Sequence, residues 1–401
     1  MSQSARELGI MQGFPPPLDK RPTLDNWDLP PFNRWSFQHV REVLPTAPVR
    51  RGATVRTLPR EEQALDELSV TDMTGQTVPL LALLRQSYAD GIMVLHRGRI
   101  AYERYFNDMR PETLHLSQSV GKSFVSTLIG QLWGQGLLDL ERPVSHYVPE
   151  LAACGYRDAL LWQVLDMRSG VKFNEEDYAD TNAEIGKLDR TSGWKPLRAD
   201  DPASVIELIQ SLSQDQPHGG PFVYRSIETE VLGWIVARVA GERLVDFMSR
   251  ELWGPMGAAC DADFTVDRAN TPLASGGLNA ALSDYARFGQ VFLEEGTVEG
   301  RQVVPAAWVA QCSQGDAAAF EAHYGERYMN CPGAAYSRQW WALAPQRRRQ
   351  VGLGIFGQLL WIDPVDQLVV ALLSSWPDYV HLERRLATFG ACEAIGRALN
   401  G

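Results

Sequence analysis

The sequence predicts a mixed α/β protein: an antiparallel sheet flanked by helices, assembled from both ends of the chain, with a mainly helical region inserted between them. Three observations carry this. Apolar runs of strand length, bounded by turn residues, lie at 91–106 and again across 338–376. Between about 118 and 260 the apolar residues recur at helical spacing instead. The first 60 residues are rich in Pro and polar side chains and fit neither pattern. The expected organisation is an extended N-terminal wrap over 1–60, an α/β domain built from 61–117 and 266–401, and a mainly helical region over 118–265.

Taken in order, "GFPPPLDKRP" and "DLPPFNRW" exclude regular helix and central strand, because Pro lacks a backbone donor and fixes φ. Trp27, Trp35 and Phe37 are the expected anchors of this wrap. "GIMVLHRGRIAYERYF" reads as a hairpin turning at Arg97-Gly98. Val120, Phe124, Leu128 and Leu132, with Val125 and Ile129 beside them, form one apolar helix face that ends at Gly134 and Gly136. "DALLWQVLDMRSG" reads as a helix ending at Gly170, and "ETEVLGWIVARVAGERLVDFMSREL" as another. The stretch 174–202 is too polar for core and long enough to be a functional loop. "LSDYARFGQVFLEEG" is helical, "RQWWALA", "VGLGIFGQLLWID" and "QLVVALLSSW" are successive antiparallel strands, and a last helix runs from Leu382 to Leu399.

Composition excludes several classes of function. A net charge of -11 repels phosphate backbones, so no nucleic acid partner is expected. Arg347-Arg348-Arg349 reads as a solvated turn. No apolar run reaches the roughly 20 residues of a membrane span, and the N-terminus lacks a secretory pattern, so a cytoplasmic location is expected. The five cysteines are odd in number and widely spaced, and the seven histidines are scattered. Neither a disulfide framework nor a metal site is expected. "GLGIFG" at 352–357 matches the dinucleotide fingerprint, but "QLLWIDP" follows it as strand and turn, so no cofactor is expected. Glycines on such a strand let a ligand approach the backbone.

Ser-x-x-Lys is the one spacing that points to chemistry, and three of the five lysines satisfy it: Ser119-Lys122, Ser169-Lys172 and Ser192-Lys195. Ser192-Lys195 straddles a glycine and precedes Pro196, which drives the lysine out of helical geometry. Ser169-Lys172 brackets Gly170 at a helix end. Only Ser119 opens a long helix, where i and i+3 share a side and unpaired N–H groups favour a developing anion. For Lys122 to act as a base its pKa must fall from near 10.4 by about 3 units, or about 4 kcal/mol, which burial can supply. The competing reading is an N-cap serine followed by a solvated lysine. Tyr224, in a turn before the next amphipathic helix, is a further candidate to share the proton, although taken alone such a tyrosine is more often a packing residue with its hydroxyl bonded to a neighbour.

With these residues in place, the chain resembles the serine β-lactamase and penicillin-recognising family, in its class C and esterase branch, from about residue 90 onward. "GLLDLERPVSHYVPEL", "FVYRSIETEVLGWIVARVAGE" and "ASGGLNAALSDYARFGQVFLEEG" carry the likeness. "TLDNWDLPPFNRWSFQHVREVLPTA", "YSRQWW" and "LSSWPD" are similar to the family's nylon-oligomer branch, the 6-aminohexanoate-dimer hydrolases. The resemblance implies a β-lactamase-like fold and a small-molecule amide or ester as substrate. Ser119 would be the acylated nucleophile, Lys122 its base and Tyr224 the proton relay. The backbone N–H groups of Ser119 and Ile355 would form the oxyanion hole, and Tyr178, Asp189 and Trp341 would contact substrate. A homodimer is a further possibility. Two departures matter: Gly352 stands where relatives commonly place a cation for an antibiotic carboxylate, and Tyr224-Arg225-Ser226 lacks the usual asparagine. Both argue against efficient β-lactam turnover. A carboxylesterase or weak β-lactamase, a catalytically silent binding domain and a cell-wall peptidase are the alternatives, the last disfavoured by the missing secretory pattern.

Overall fold

Strands that are apolar at every position need cover on both faces, and the central sheet has it. The computed structural model describes residues 2–324 and 331–401. In chain order the elements that position the site begin with strands β1 (Thr46–Val49), β2 (Ala89–His96), β3 (Arg99–Tyr105) and β4 (Leu114–Leu116). A 3-10 turn, Gln118–Val120, then opens helix α1 (Gly121–Gly134), followed by α2 (Leu161–Leu165), α3 (Glu184–Thr191) and α4 (Ser226–Ala240). Strands β5 (Ala262–Thr265) and β6 (Leu278–Ala281) lead into α5 (Leu282–Leu293). The chain closes with β7 (Ala335–Ser337), β8 (Trp340–Ala344), β9 (Arg349–Gly354), β10 (Gln358–Asp363), β11 (Leu368–Ser374) and helix α6 (Leu382–Asn400).

A seven-stranded antiparallel sheet has the order β7-β8-β9-β10-β11-β2-β3, so an early hairpin completes a late meander. Its residues divide with period two. Leu360, Ile362, Val369, Ala371, Met93 and Leu95 join the cluster that holds α1 and α5. Leu359, Trp361, Val370, Leu372, Ile92 and Val94 join Phe389, Cys392 and Ile395 of α6. The mixed α/β class expected from sequence is the observed one. A second antiparallel sheet, β1-β5-β6-β4, takes its edge strand from the Pro-rich N-terminal segment, with Thr46 opposite Thr265.

Several local expectations change. Trp27 and Phe37 are fully buried, whereas Trp35 is only partly covered and stacks on His39 at 4.2 Å. The helix expected to end at Gly170 covers only Leu161–Leu165. "VGLGIFGQLLWID" is two strands, because Phe356 (φ 59°) and Gly357 (φ 91°) reverse the chain between β9 and β10. A side chain at 357 would run into the Trp376 ring, so only glycine fits that turn. The arginine cluster does form a turn with Arg348 exposed, but it is not solvated throughout: Arg349 is buried and lies 2.8 Å from both the buried Asp363 and Glu393, and Arg347 pairs with Asp363 at 3.1 Å. The polar stretch 174–202 contains α3 and packs into the protein through Ile185, Leu188 and Trp194. Trp27 of the N-terminal segment donates its indole N–H to the Trp194 carbonyl at 2.8 Å and braces this stretch.

Candidate active site

The site forms where α1 begins. Ser117 N–H donates to the Leu278 carbonyl at 2.7 Å, which ties the chain to β6. Gln118 then takes a left-handed φ of 46°, a conformation costing about 1–3 kcal/mol that persists only when its surroundings enforce it. Ser119 follows, inside the 3-10 turn rather than in the helix proper, and its side chain makes no N-cap bond. Helix α1 is buried almost all round, not on one face: Lys122, Ser123, Ser126, Thr127 and Gln131 are covered as well. Ser123 and Ser126 donate to the carbonyls of Gln339 and Arg338 before β8, which satisfies these two hydroxyls.

Burial therefore reaches Lys122, which is 1% exposed. Its Nζ donates to Ser119 Oγ at 2.8 Å and to the Ser275 carbonyl at 3.0 Å. Burial lowers its pKa to about 8, against the opposing pull of Glu175 and Glu230. The reading as a solvated surface lysine fails on this geometry. Glu230 accepts the N–H groups of Ala274 and Ser275 at 2.9 and 2.8 Å, and burial raises its carboxyl to about 7. It thereby fixes the carbonyl that Lys122 uses.

Tyr224 lies just before α4, with its ring centroid 5.1 Å from Lys122 Nζ and stacked on Trp341 at 5.4 Å. Burial and the Glu175 carboxylate push its hydroxyl well above the ordinary range, and a hydrogen bond with Ser119 opposes them. Tyr178 donates to Glu175 at 3.0 Å and stacks on Tyr379 at 5.8 Å. Ser119, Tyr178, Tyr224, Trp341 and Ile355 line one cavity of about 420 Å³. A smaller cavity continues inward past Ser119 and Lys122 to Asp189 on α3. Burial, then the neighbouring Asp28, raises Asp189 to about 7. All seven candidate residues thus meet at one place.

The strand glycines serve the helix start more than a ligand. A Cβ on Gly354 would stand 2.9 Å from both the Ser117 carbonyl oxygen and Gln118 Cβ, and one on Gly352 would stand 3.3 Å from Val120 Cγ1. Their absence lets β9 lie against the turn that carries Ser119 and brings Ile355 to the cavity. The two other Ser-x-x-Lys pairs are absorbed elsewhere. Ser169 Oγ bonds to the buried Glu228, Ser192 donates to the Asp189 carbonyl at 3.0 Å, and Lys195 pairs with Asp28.

Sequence reasoning missed Glu175, Glu230 and the Ser275 carbonyl. Two acids, Glu228 and Glu230, inside the otherwise apolar "SIETEVLGWIV" were the available signal, since buried carboxylates are rare without a task. A carbonyl oxygen leaves no mark in a sequence.

A buried lysine bonded to a serine at the mouth of a cavity, on this sheet and helix arrangement, defines a serine hydrolase with the penicillin-recognising fold. The chain belongs to the β-lactamase family, whose model, described as Beta-lactamase, matches residues 82–394. It is 37% identical over 366 residues to the 6-aminohexanoate-dimer hydrolase of Paenarthrobacter ureafaciens, with 91% of each chain covered. The solved "Putative 6-aminohexanoate-dimer hydrolase from Bacillus anthracis" superposes with a TM-score of 0.87 at 28% identity, covering 94% of this chain and 97% of that one. A family VIII carboxylesterase shares the fold at a TM-score of 0.58 and 14% identity, covering 78% of this chain and 96% of its own. Among the described residues no helix is long and apolar enough to cross a membrane.

Proposed function

We propose that the chain cleaves a small linear amide or ester through an acyl-enzyme on Ser119, in the manner of a 6-aminohexanoate-dimer hydrolase. The observation that carries this is the bond of 2.8 Å from the buried Lys122 Nζ to Ser119 Oγ. Neutral Lys122 takes the hydroxyl proton as Ser119 Oγ attacks the substrate carbonyl. The Ser275 carbonyl holds one N–H of the amine, so that on losing a proton Lys122 can present its lone pair to Ser119. The N–H groups of Ser119 and Ile355 receive the oxyanion. Tyr224 passes the proton on to the leaving nitrogen or oxygen, and water then releases the acyl group by the reverse relay. Tyr178 and Trp341 orient the substrate, and Asp189 supplies a carboxylate for a cationic end. The five cysteines are free thiols, which fits the cytoplasmic location proposed here.

Intact-mass analysis after treatment with a fluorophosphonate tests the reading. One adduct should appear and map to Ser119. Labelling at Ser169 or Ser192 would overturn the assignment, and no labelling at all would favour the catalytically silent binding domain.

A further inference from the structure

The Tyr224-Arg225-Ser226 element lacks the asparagine that the family resemblance leads one to expect, and Ser226 alone is a short replacement. A longer polar side chain from a different segment, Glu175, packs against Ser226. Glu175, 6% exposed, receives the Ser226 backbone N–H on one carboxylate oxygen. Its other oxygen takes the Ser226 hydroxyl at 2.6 Å and the Tyr178 hydroxyl at 3.0 Å. Ser226 is the first residue of α4, so the carboxylate sits at that helix's N-terminus, where an anion is stabilised; burial raises its pKa, and the charge of Lys122 and the Ser226 hydrogen bonds oppose that rise. Glu175 also lines both the outer cavity and the inner one that holds Lys122.

We propose that Glu175 is a positioning residue of the hydrolytic reaction: anchored by Ser226, it holds the Tyr178 hydroxyl over the cavity and presents a negative charge to Lys122, doing from the 174–178 segment the work of the missing asparagine. The inference rests on the acyl-enzyme reading above. One carboxylate thus ties the polar segment to the start of α4 and lines the cavity that holds Lys122 of α1. Two of its hydrogen bonds go to Ser226, two residues beyond Tyr224, and a third goes to the Tyr178 hydroxyl.

The charge has a signed consequence. A carboxylate beside an ammonium favours the protonated amine, so Glu175 opposes the effect of burial on Lys122. Glu175 and Glu230 are the anions that act on Lys122, and Tyr224 faces it through its ring. Tyr178, Asp189 and Asp28 stand on the walls of the same inner cavity. Of the two anions, Glu230 is bonded to the Ala274 and Ser275 backbone, whereas Glu175 is the one that also touches the substrate-facing Tyr178.

The test is the pH dependence of Ser119 labelling by a fluorophosphonate, which needs neutral Lys122 but no natural substrate. In Glu175→Gln the acid limb of the labelling rate should move to lower pH by on the order of one unit. In Glu175→Asp, which keeps the charge, it should stay near the wild-type position. Glu175→Ala gives a second route: added formate should return the limb toward wild type, which a residue needed only for folding would not allow. If wild type labels at Ser119 and the limb is the same in Gln, Ala and wild type, the role of Glu175 is overturned and the acyl-enzyme reading stands. If wild type is not labelled at Ser119, the acyl-enzyme reading falls and this inference falls with it.

Discussion

Lys122 Nζ lies 2.8 Å from Ser119 Oγ, in a pocket that leaves the lysine 1% exposed. The same amine is held from behind by the Ser275 carbonyl at 3.0 Å. An amine fixed on two sides cannot swing away from the Ser119 hydroxyl, and the lost hydration of its charged form is what lowers its pKa.

Lys122 and Tyr224 should therefore behave as one unit with Ser119. Lys122→Ala and Tyr224→Phe should each lower kcat by about 10²–10⁴-fold, and the double variant should be little worse than the poorer single one. Steady-state kinetics of the four proteins on one ester checks this. Full additivity would mean that the two side chains act in separate steps.

The pH profile follows from the lysine. Lys122 must be neutral to accept the serine proton, and its pKa lies at about 8. kcat/KM should be low where the amine is protonated, rise through about pH 8 and then level off. An assay on a non-ionising ester between pH 6 and 10 gives the curve. A profile that falls over this range would assign the base to another group.

Substrate class should separate the two functions of the pocket. Short acyl esters should be cleaved readily, a linear amide such as the 6-aminohexanoate dimer detectably, and a cephalosporin poorly. An amide needs its leaving nitrogen oriented and protonated, so Tyr178→Phe should harm the amide more than the ester. A cephalosporin carboxylate finds no cation at Gly352, where Val120 and Ser123 pack against the strand instead. The missing charge-assisted hydrogen bond is worth about 1.5–3 kcal/mol, or roughly ten- to a hundredfold in kcat/KM. Asp189→Asn should raise KM for an ammonium-bearing amide and leave the neutral ester unchanged.

Gly354→Ala should disable the site although residue 354 contributes no side chain to the chemistry. The added methyl would meet the backbone of Ser117 at 2.9 Å, and β9 or the Ser119 turn must shift. Such overpacking typically costs about 1–3 kcal/mol. A loss of at least about tenfold in kcat with a folded circular dichroism spectrum is the expected result. Wild-type turnover would show that the turn and the strand are not held in register by this contact.

How much of this was legible in the sequence depends on how local the cause is. The helix after Ser119, the hairpin at Arg97-Gly98 and the last helix follow from spacing and turn residues within a short window, and the structure has all three. Ser119 could be chosen over Ser169 and Ser192 for the same reason, since the rejected pairs break at Gly and Pro close by. The family could also be recognised, because its motifs are short runs of sequence.

The tertiary structure decided what depends on neighbours distant in the chain. Burial of Lys122 comes from packing all around α1, and two serines that look solvated in sequence satisfy carbonyls more than 200 residues away. The polar 174–202 stretch folds inward because Trp27 and the β5 strand give Trp194 partners. The turn at Phe356-Gly357 divides a run that sequence reads as one strand, because the Trp376 ring occupies the space a side chain would need. Glu175 became visible only when the start of α4 placed Ser226 against it. Sequence records which groups can ionise, but proton affinity is set by lost hydration and by charges brought close, and both arise only when distant segments pack together.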